Sequence, residues 1–184
     1  MEALRRLVHA SGAGVPLLYV LGVLTWQQLE WVVLGGAVVA GVLEALRLTG
    51  YLESVVFDYL TREYERDNPA GYALYVISSA FTINVFAPAA ALPGVFMLTL
   101  ADPVSGLLSS GELRSVKRPR VLLATFGLST LIAALFVPPL PAVLGGAAAT
   151  LADGVKPVIR GYVVDDNLTI PPAAALAITV GLAL

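Results

Sequence analysis

Charge is absent from most of this chain, and the lengths of the charge-free runs limit what it can fold into. Asn68 to Ala101 contains no Asp, Glu, Lys or Arg for 34 residues, and Val121 to Ala152 none for 32. A helix crossing a bilayer needs about 20 mostly apolar residues, or about 17 at the short end. Each run is too long for one crossing and suits two short ones with a turn between them. Pro88 and Pro93 mark the turn in the first run, and Val137-Pro138-Pro139-Leu140-Pro141 marks it in the second. Ala10 to Leu29 resembles the apolar part of a signal peptide, but equally apolar segments follow it, so it reads as a retained first crossing. A second runs from about Gln28 to Arg47, with Glu44 and Arg47 one turn apart at its end, and a last short one occupies Leu168 to Leu184. Charged residues make up only 13% of the chain, against about 25% in soluble domains, too few to coat a globule in water. The predicted architecture is an all-α polytopic membrane bundle of about seven helices, one domain over residues 1–184.

Three charged connections join these crossings. Leu48 to Asp67 alternates apolar and charged positions at near-helical spacing, as expected of an interfacial helix. Asn68 followed by Pro69 reads as a cap and first helical residue. Glu112 to Arg120 and Asp153 to Asn167 are the other two. With the N-terminus in the cytoplasm and alternate crossings counted, all eleven basic residues fall on one side, and of the thirteen acids only Glu30 falls on the other. The positive-inside rule accounts for the bases alone, since Asp and Glu barely influence orientation. The acids gathered on the same face therefore point to a built polar site. No cysteine is present, which excludes disulfides and thiolate chemistry, and a net charge of −2 offers no case for nucleic acid as a partner.

Several stretches on that face carry candidate chemistry. Arg5 and Arg6 lie four and three residues before His9, so all three share a helical face where snorkelling or anion binding would each fit. Glu65 and Arg66 are the charges nearest the next crossing. Asp102, at the end of an apolar run, is the sharpest feature, because an ionisable residue at membrane depth is functional by default. Pro103 after it predicts a broken helix with Asp102 capping a new segment that includes Ser105 and Gly106, and this carboxylate would suit Mg²⁺ facing a phosphate. Lys117, Arg118 and Arg120 serve either topology or a triphosphate clamp. Asp153 and Lys156 follow, and then Asp165, Asp166 and Asn167 at the mouth of the last crossing form a candidate divalent-cation site. No P-loop, HEXXH or protein-kinase motif set is present.

In their order along the chain these segments resemble the CTP-dependent polyprenol kinase family, which includes dolichol kinase, phytol kinase and the yeast-type diacylglycerol kinase. The resemblance is closest to its archaeal, dolichol-kinase-like branch. The family's opening basic pair, histidine and glycine are similar to Arg5-Arg6, His9 and Gly12. Its Glu-Arg patch with glycine and tyrosines is similar to Glu65-Arg66, Gly71, Tyr72 and Tyr75. Its Gly-Asp motif with small residues resembles Ala101-Asp102 with Ser105 and Gly106, and its closing Asp-Asn-Leu-x-Ile-Pro resembles Asp166-Asn167-Leu168-Thr169-Ile170-Pro171. The chain departs from the family pattern at Ala101, usually glycine, and at Asp153, commonly glutamate. Of the family's Lys-Ser-x-Glu-Gly segment it keeps only the lysine, in Lys117-Arg118-Pro119-Arg120.

The resemblance implies phosphorylation of an isoprenoid or other lipid alcohol by CTP with Mg²⁺, at the cytoplasmic face of the cell membrane. Asp102, Asp153 and Asp166 are then the expected metal ligands, and Arg6, Arg66, Lys117, Arg118 and Lys156 the expected phosphate contacts. Asp102 or His9 is expected to accept the hydroxyl proton, with Glu65, Ser105, Gly106 and Asn167 also belonging to the site. A cytidylyltransferase joining CTP to a lipid phosphate is a neighbouring reading. A small membrane transporter is a rival from another class.

Overall fold

The structure is a computed structural model that describes residues 7, 9–52, 54, 57, 61, 65–109, 116–155, 157–159 and 162–184. Among these, the chain is helical except for one two-residue antiparallel ladder. The elements are α1 (Gly14–Val20), α2 (Trp26–Leu48), α3 (Gly71–Val85), α4 (Pro88–Phe96), a π-helical turn (Met97–Ala101), α5 (Asp102–Leu108), α6 (Pro119–Ala134), α7 (Pro139–Gly154), β1 (Val158–Ile159), β2 (Tyr162–Val163) and α8 (Asp166–Leu182). Two helical rods, Trp26–Leu48 and Pro88–Leu108, are long and apolar enough to cross a membrane.

The last helix in sequence is central in space: α8 packs against α3, α4 and α7, and α6 covers the other side of α7. Its buried stripe contains Ile170, Ala174, Ala175, Ile178 and Gly181, of which Ala174, Ala175 and Gly181 are small enough to let backbones approach closely. Gly94 of α4 makes the closest approach to backbone: a Cβ there would lie 2.7 Å from the Pro171 carbonyl oxygen. By contrast α2 stands at the edge against α3, and Trp31, Val32, Val38, Val39 and Val42 on it are exposed.

The first apolar run, Ala10 to Leu29, is not one helix. Gly22 has a φ of 73°, and Val23 N–H and Gly22 N–H return to the carbonyls of Leu18 and Tyr19, the bond pair of a glycine C-cap. Thr25 then opens α2 with a reciprocal cap, its Oγ1 accepting from Gln28 N–H and its own N–H donating to Gln28 Oε1. The same glycine cap closes α2 at Gly50, where Tyr51 N–H bonds the Leu46 carbonyl. Hydropathy is blind to the stop at Gly22 because the residues on either side of it are apolar.

Three further expectations are corrected. α3 starts at Gly71 with Ala70 as its N-cap, not at Pro69 behind Asn68. Distant carboxylates replace the expected local cap: Glu44 Oε1 accepts from Ala70 N–H at 2.6 Å and Glu65 Oε1 from Gly71 N–H at 3.3 Å. Pro93 lies inside α4 rather than at the turn, which Phe86 and Ala87 make ahead of Pro88. The helix does not break at Asp102 and Asp102 makes no side-chain cap. Its N–H reaches back five residues to the Met97 carbonyl, and the π-helical turn carries the rod past Pro103, which has no N–H to donate. The interfacial helix expected over Leu48 to Asp67 lies mostly outside the described residues.

Proline has a comparable effect in α8. Pro171 cannot bond the Asn167 carbonyl, and that freed acceptor takes the Ser78 hydroxyl of α3 at 2.5 Å. The Gly94 contact is testable by thermal unfolding in detergent. Gly94→Ala forces its methyl against backbone and should cost about 1–3 kcal/mol. Gly41→Ala, with nothing within 4 Å, should be neutral or stabilise by about 0.5–1 kcal/mol. Equal effects at the two positions would contradict the packing.

Candidate active site

Six helix ends meet on one side of the bundle, and they alternate in polarity as antiparallel neighbours must. They are the C-terminal ends of α2, α5 and α7 and the N-terminal ends of α3, α6 and α8. Asp102 lies at the start of α5, Asp153 in the last turn of α7 and Asp166 in the first turn of α8. One carboxylate oxygen of each lies within 4.8 Å of the other two. Asp153 and Asp166 are buried and Asp102 is partly buried, so water screens their mutual repulsion poorly.

The cluster has cationic and hydroxyl partners, and local structure delivers them. Val116 bridges Val155, and Lys117 N–H bonds the Gly154 carbonyl at 3.1 Å, so the lead into α6 is zipped to the end of α7. That pairing sets Lys117 Nζ 2.5 Å from Asp153 Oδ1. Ser105, one turn beyond Asp102, donates its hydroxyl to Asp153 Oδ2 at 2.6 Å and accepts from Lys117 Nζ at 2.9 Å. Lys117 thus bridges a carboxylate from α7 and a hydroxyl from α5.

His9 reaches the cluster from the N-terminal segment, with Nδ1 3.4 Å from Asp102 Oδ2. Its ring meets Tyr75 edge-on, with centroids 4.8 Å apart, and its Nε2 is buried with no hydrogen-bond partner among the described residues. Gly12 makes room for that tyrosine: a Cβ there would fall 1.8 Å from the Tyr75 hydroxyl oxygen. The spacing of His9 and Gly12 therefore follows from one packing requirement, with Tyr75 filling the space that a side chain at residue 12 would take.

The three adjacent residues at the mouth of α8 divide their work instead of forming one ligand set. Asp165 is the N-cap of α8; its Oδ1 accepts from Asn167 N–H at 2.9 Å and from Asn167 Nδ2 at 2.5 Å. Only Asp166 joins Asp102 and Asp153. The group that could hold a cation thus takes Asp166 alone from the adjacent pair, because Asp165 is committed to the helix start. Glu65 is buried at the start of α3. Arg66 is exposed, and its backbone carbonyl accepts from Arg47. Arg118 is the N-cap residue of α6, and Gly106 lies on α5. Arg6 and Lys156 lie outside the described residues.

An all-oxygen set of three carboxylates suits a small hard cation such as Mg²⁺. Two observations bear on the fit. The ligand oxygens converge from three separate helices, and an ammonium already sits against one of them. What sequence reading missed is Glu44 with Arg47, buried together at the end of α2, and the role of Tyr75. An Glu/Arg pair three residues apart inside an apolar run was the available signal for the former.

Ser105→Ala removes the hydroxyl that orients Asp153. Divalent-cation affinity, read by titrating the purified protein with Mn²⁺ under electron paramagnetic resonance, should fall about 10–100-fold. An unchanged affinity would exclude Asp153 as a ligand oriented by Ser105. No protein-family model, curated protein sequence or solved structure matches this chain.

Proposed function

We propose that the protein is a membrane-embedded phosphotransferase that moves the γ-phosphoryl group of CTP to the hydroxyl of an isoprenoid or other lipid alcohol, with Mg²⁺, at the cytoplasmic face. The observation that carries this reading is the meeting of Asp102, Asp153, Asp166, Lys117 and His9, from five separate stretches of sequence, at one end of an apolar bundle. A lipid alcohol brings its hydroxyl to that depth, and a soluble nucleotide arrives from the water beyond it.

The topology belongs to the same proposal. At about 1.5 Å per residue, the 23 residues of α2 extend about 34 Å, enough for a hydrocarbon core of about 30 Å. In this reading α3, the rod from Pro88 to Leu108, α6, α7 and α8 are further crossings. The path from His9 at the site to the start of α2 at the far side is the seventh, and the basic residues keep the site end in the cytoplasm.

Transfer forms a bond between the alcohol oxygen and the γ-phosphorus and breaks the bond to the β-phosphate oxygen, so CDP leaves with the electron pair. The hydroxyl proton goes to Asp102 or to the unpartnered Nε2 of His9. Asp102, Asp153 and Asp166 hold the metal. Bound there, Mg²⁺ would neutralise the β- and γ-phosphate oxygens. Lys117 adds a positive charge beside them, and Ser105 keeps Asp153 and Lys117 in register. Arg118, together with Arg6, Arg66 and Lys156, supplies further positive charge for the nucleotide.

Purified protein given labelled CTP or ATP and a panel of lipid alcohols should yield the lipid monophosphate and CDP. Release of pyrophosphate would instead identify a cytidylyltransferase. Asp102→Asn should abolish transfer while membrane insertion stays intact. Retained activity in that variant would remove Asp102 from the reaction.

A further inference from the structure

An ion pair at the end of α2, away from the carboxylate cluster, is more heavily bonded than a helix end requires. Arg47 Nε and Nη2 hold both oxygens of Glu44, at 2.9 and 2.7 Å. The same guanidinium donates to three carbonyls of one turn in the connection into α3: those of Arg66 at 3.0 Å, Glu65 at 3.1 Å and Asn68 at 2.7 Å. Glu44 in turn accepts from Ala70 N–H and, at 2.6 Å, from the Tyr72 hydroxyl. A planar guanidinium with five donors can bind a carboxylate and a fan of carbonyls together, and an ammonium cannot.

This network fixes more than the loop. It holds Glu65 so that its carboxylate meets Gly71 N–H, and Asn167 of α8 crowds the same glycine. A Cβ at Gly71 would lie 3.0 Å from Asn167 Nδ2 and 3.3 Å from Glu65 Oε1. Two turns further along α3, Ser78 takes the Asn167 carbonyl left over by Pro171. The start of α8 is thus pinned to α3 on both sides of Asn167, whose neighbour is Asp166. We propose that Arg47 and Glu44 are positioning residues for Asp166, acting through the residue 65–71 connection and Asn167 to set the third carboxylate of the cluster. This rests on the reading of that cluster as a phosphotransferase centre, but its physical content does not depend on the activity.

Arg47→Lys keeps the charge and loses the fan of donors, and Tyr72→Phe removes one donor to Glu44. Hydrogen–deuterium exchange on the full chain in detergent reads the consequence without a substrate. In Arg47→Lys the Asn167 and Leu168 amides, both held by Asp165, should exchange roughly tenfold faster, together with Ala70 and Gly71. Residues 122–133 of α6 should be unchanged, and Tyr72→Phe should show a smaller effect at the same positions. In the activity assay the apparent KM for Mg²⁺ should rise severalfold while that for the lipid alcohol holds. Faster exchange confined to residues 70–71, or spread evenly over the bundle, would overturn the proposal. An inactive wild-type protein would overturn the phosphotransferase reading and leave the exchange result to decide this one.

Discussion

Three carboxylates cannot be gathered in a poorly hydrated place unless other groups hold them there, and much of this structure meets that requirement. Like charges a few ångströms apart raise each other's energy, and desolvation raises the cost of every ionised group. Lys117 on Asp153 and the Ser105 hydroxyl between them offset part of the repulsion, and His9 faces Asp102. Each of these groups is placed by backbone structure: a β-bridge for Lys117, a helical rod carried past Pro103 for Ser105, and a glycine-tyrosine contact for His9. In the proposed reading, this costly assembly is the reaction centre.

The bundle around that spot is held together by close approach. In the proposed lipid setting, apolar side chains gain little by meeting one another, so backbones must come near enough for dispersion and hydrogen bonds to act. Gly94 against Pro171 and Gly181 against Pro141 are such approaches. The prolines within helices have a second effect: each removes a donor and leaves a carbonyl that another helix can use. Ser78 uses the one at Asn167, which ties α3 to α8 beside the carboxylates.

The charge-free runs made the helical architecture legible, because it depends on where the apolar residues lie. Asp102, Asp153 and Asp166 stood out for the same reason, as acids bordering apolar runs. Other features depend on pairings across the chain and left no local trace. Gly22 ends a helix amid uniformly apolar residues, so a hydropathy reading runs straight through it. Glu44 caps a helix whose N-cap residue, Ala70, lies 26 residues later, where sequence reasoning looked for a neighbouring cap at Asn68. Asp165 and Asp166 are adjacent and chemically identical, and only the path of the backbone assigns one to capping and the other to the cluster.

The central claim is that Asp102, Asp153 and Asp166 form one divalent-cation centre. Anomalous X-ray diffraction from crystals of the full chain grown with Mn²⁺ tests it most directly. The account predicts an anomalous peak in contact with oxygens of all three side chains. Mn²⁺ bound elsewhere, or contacting Asp165 in place of Asp166, would contradict it.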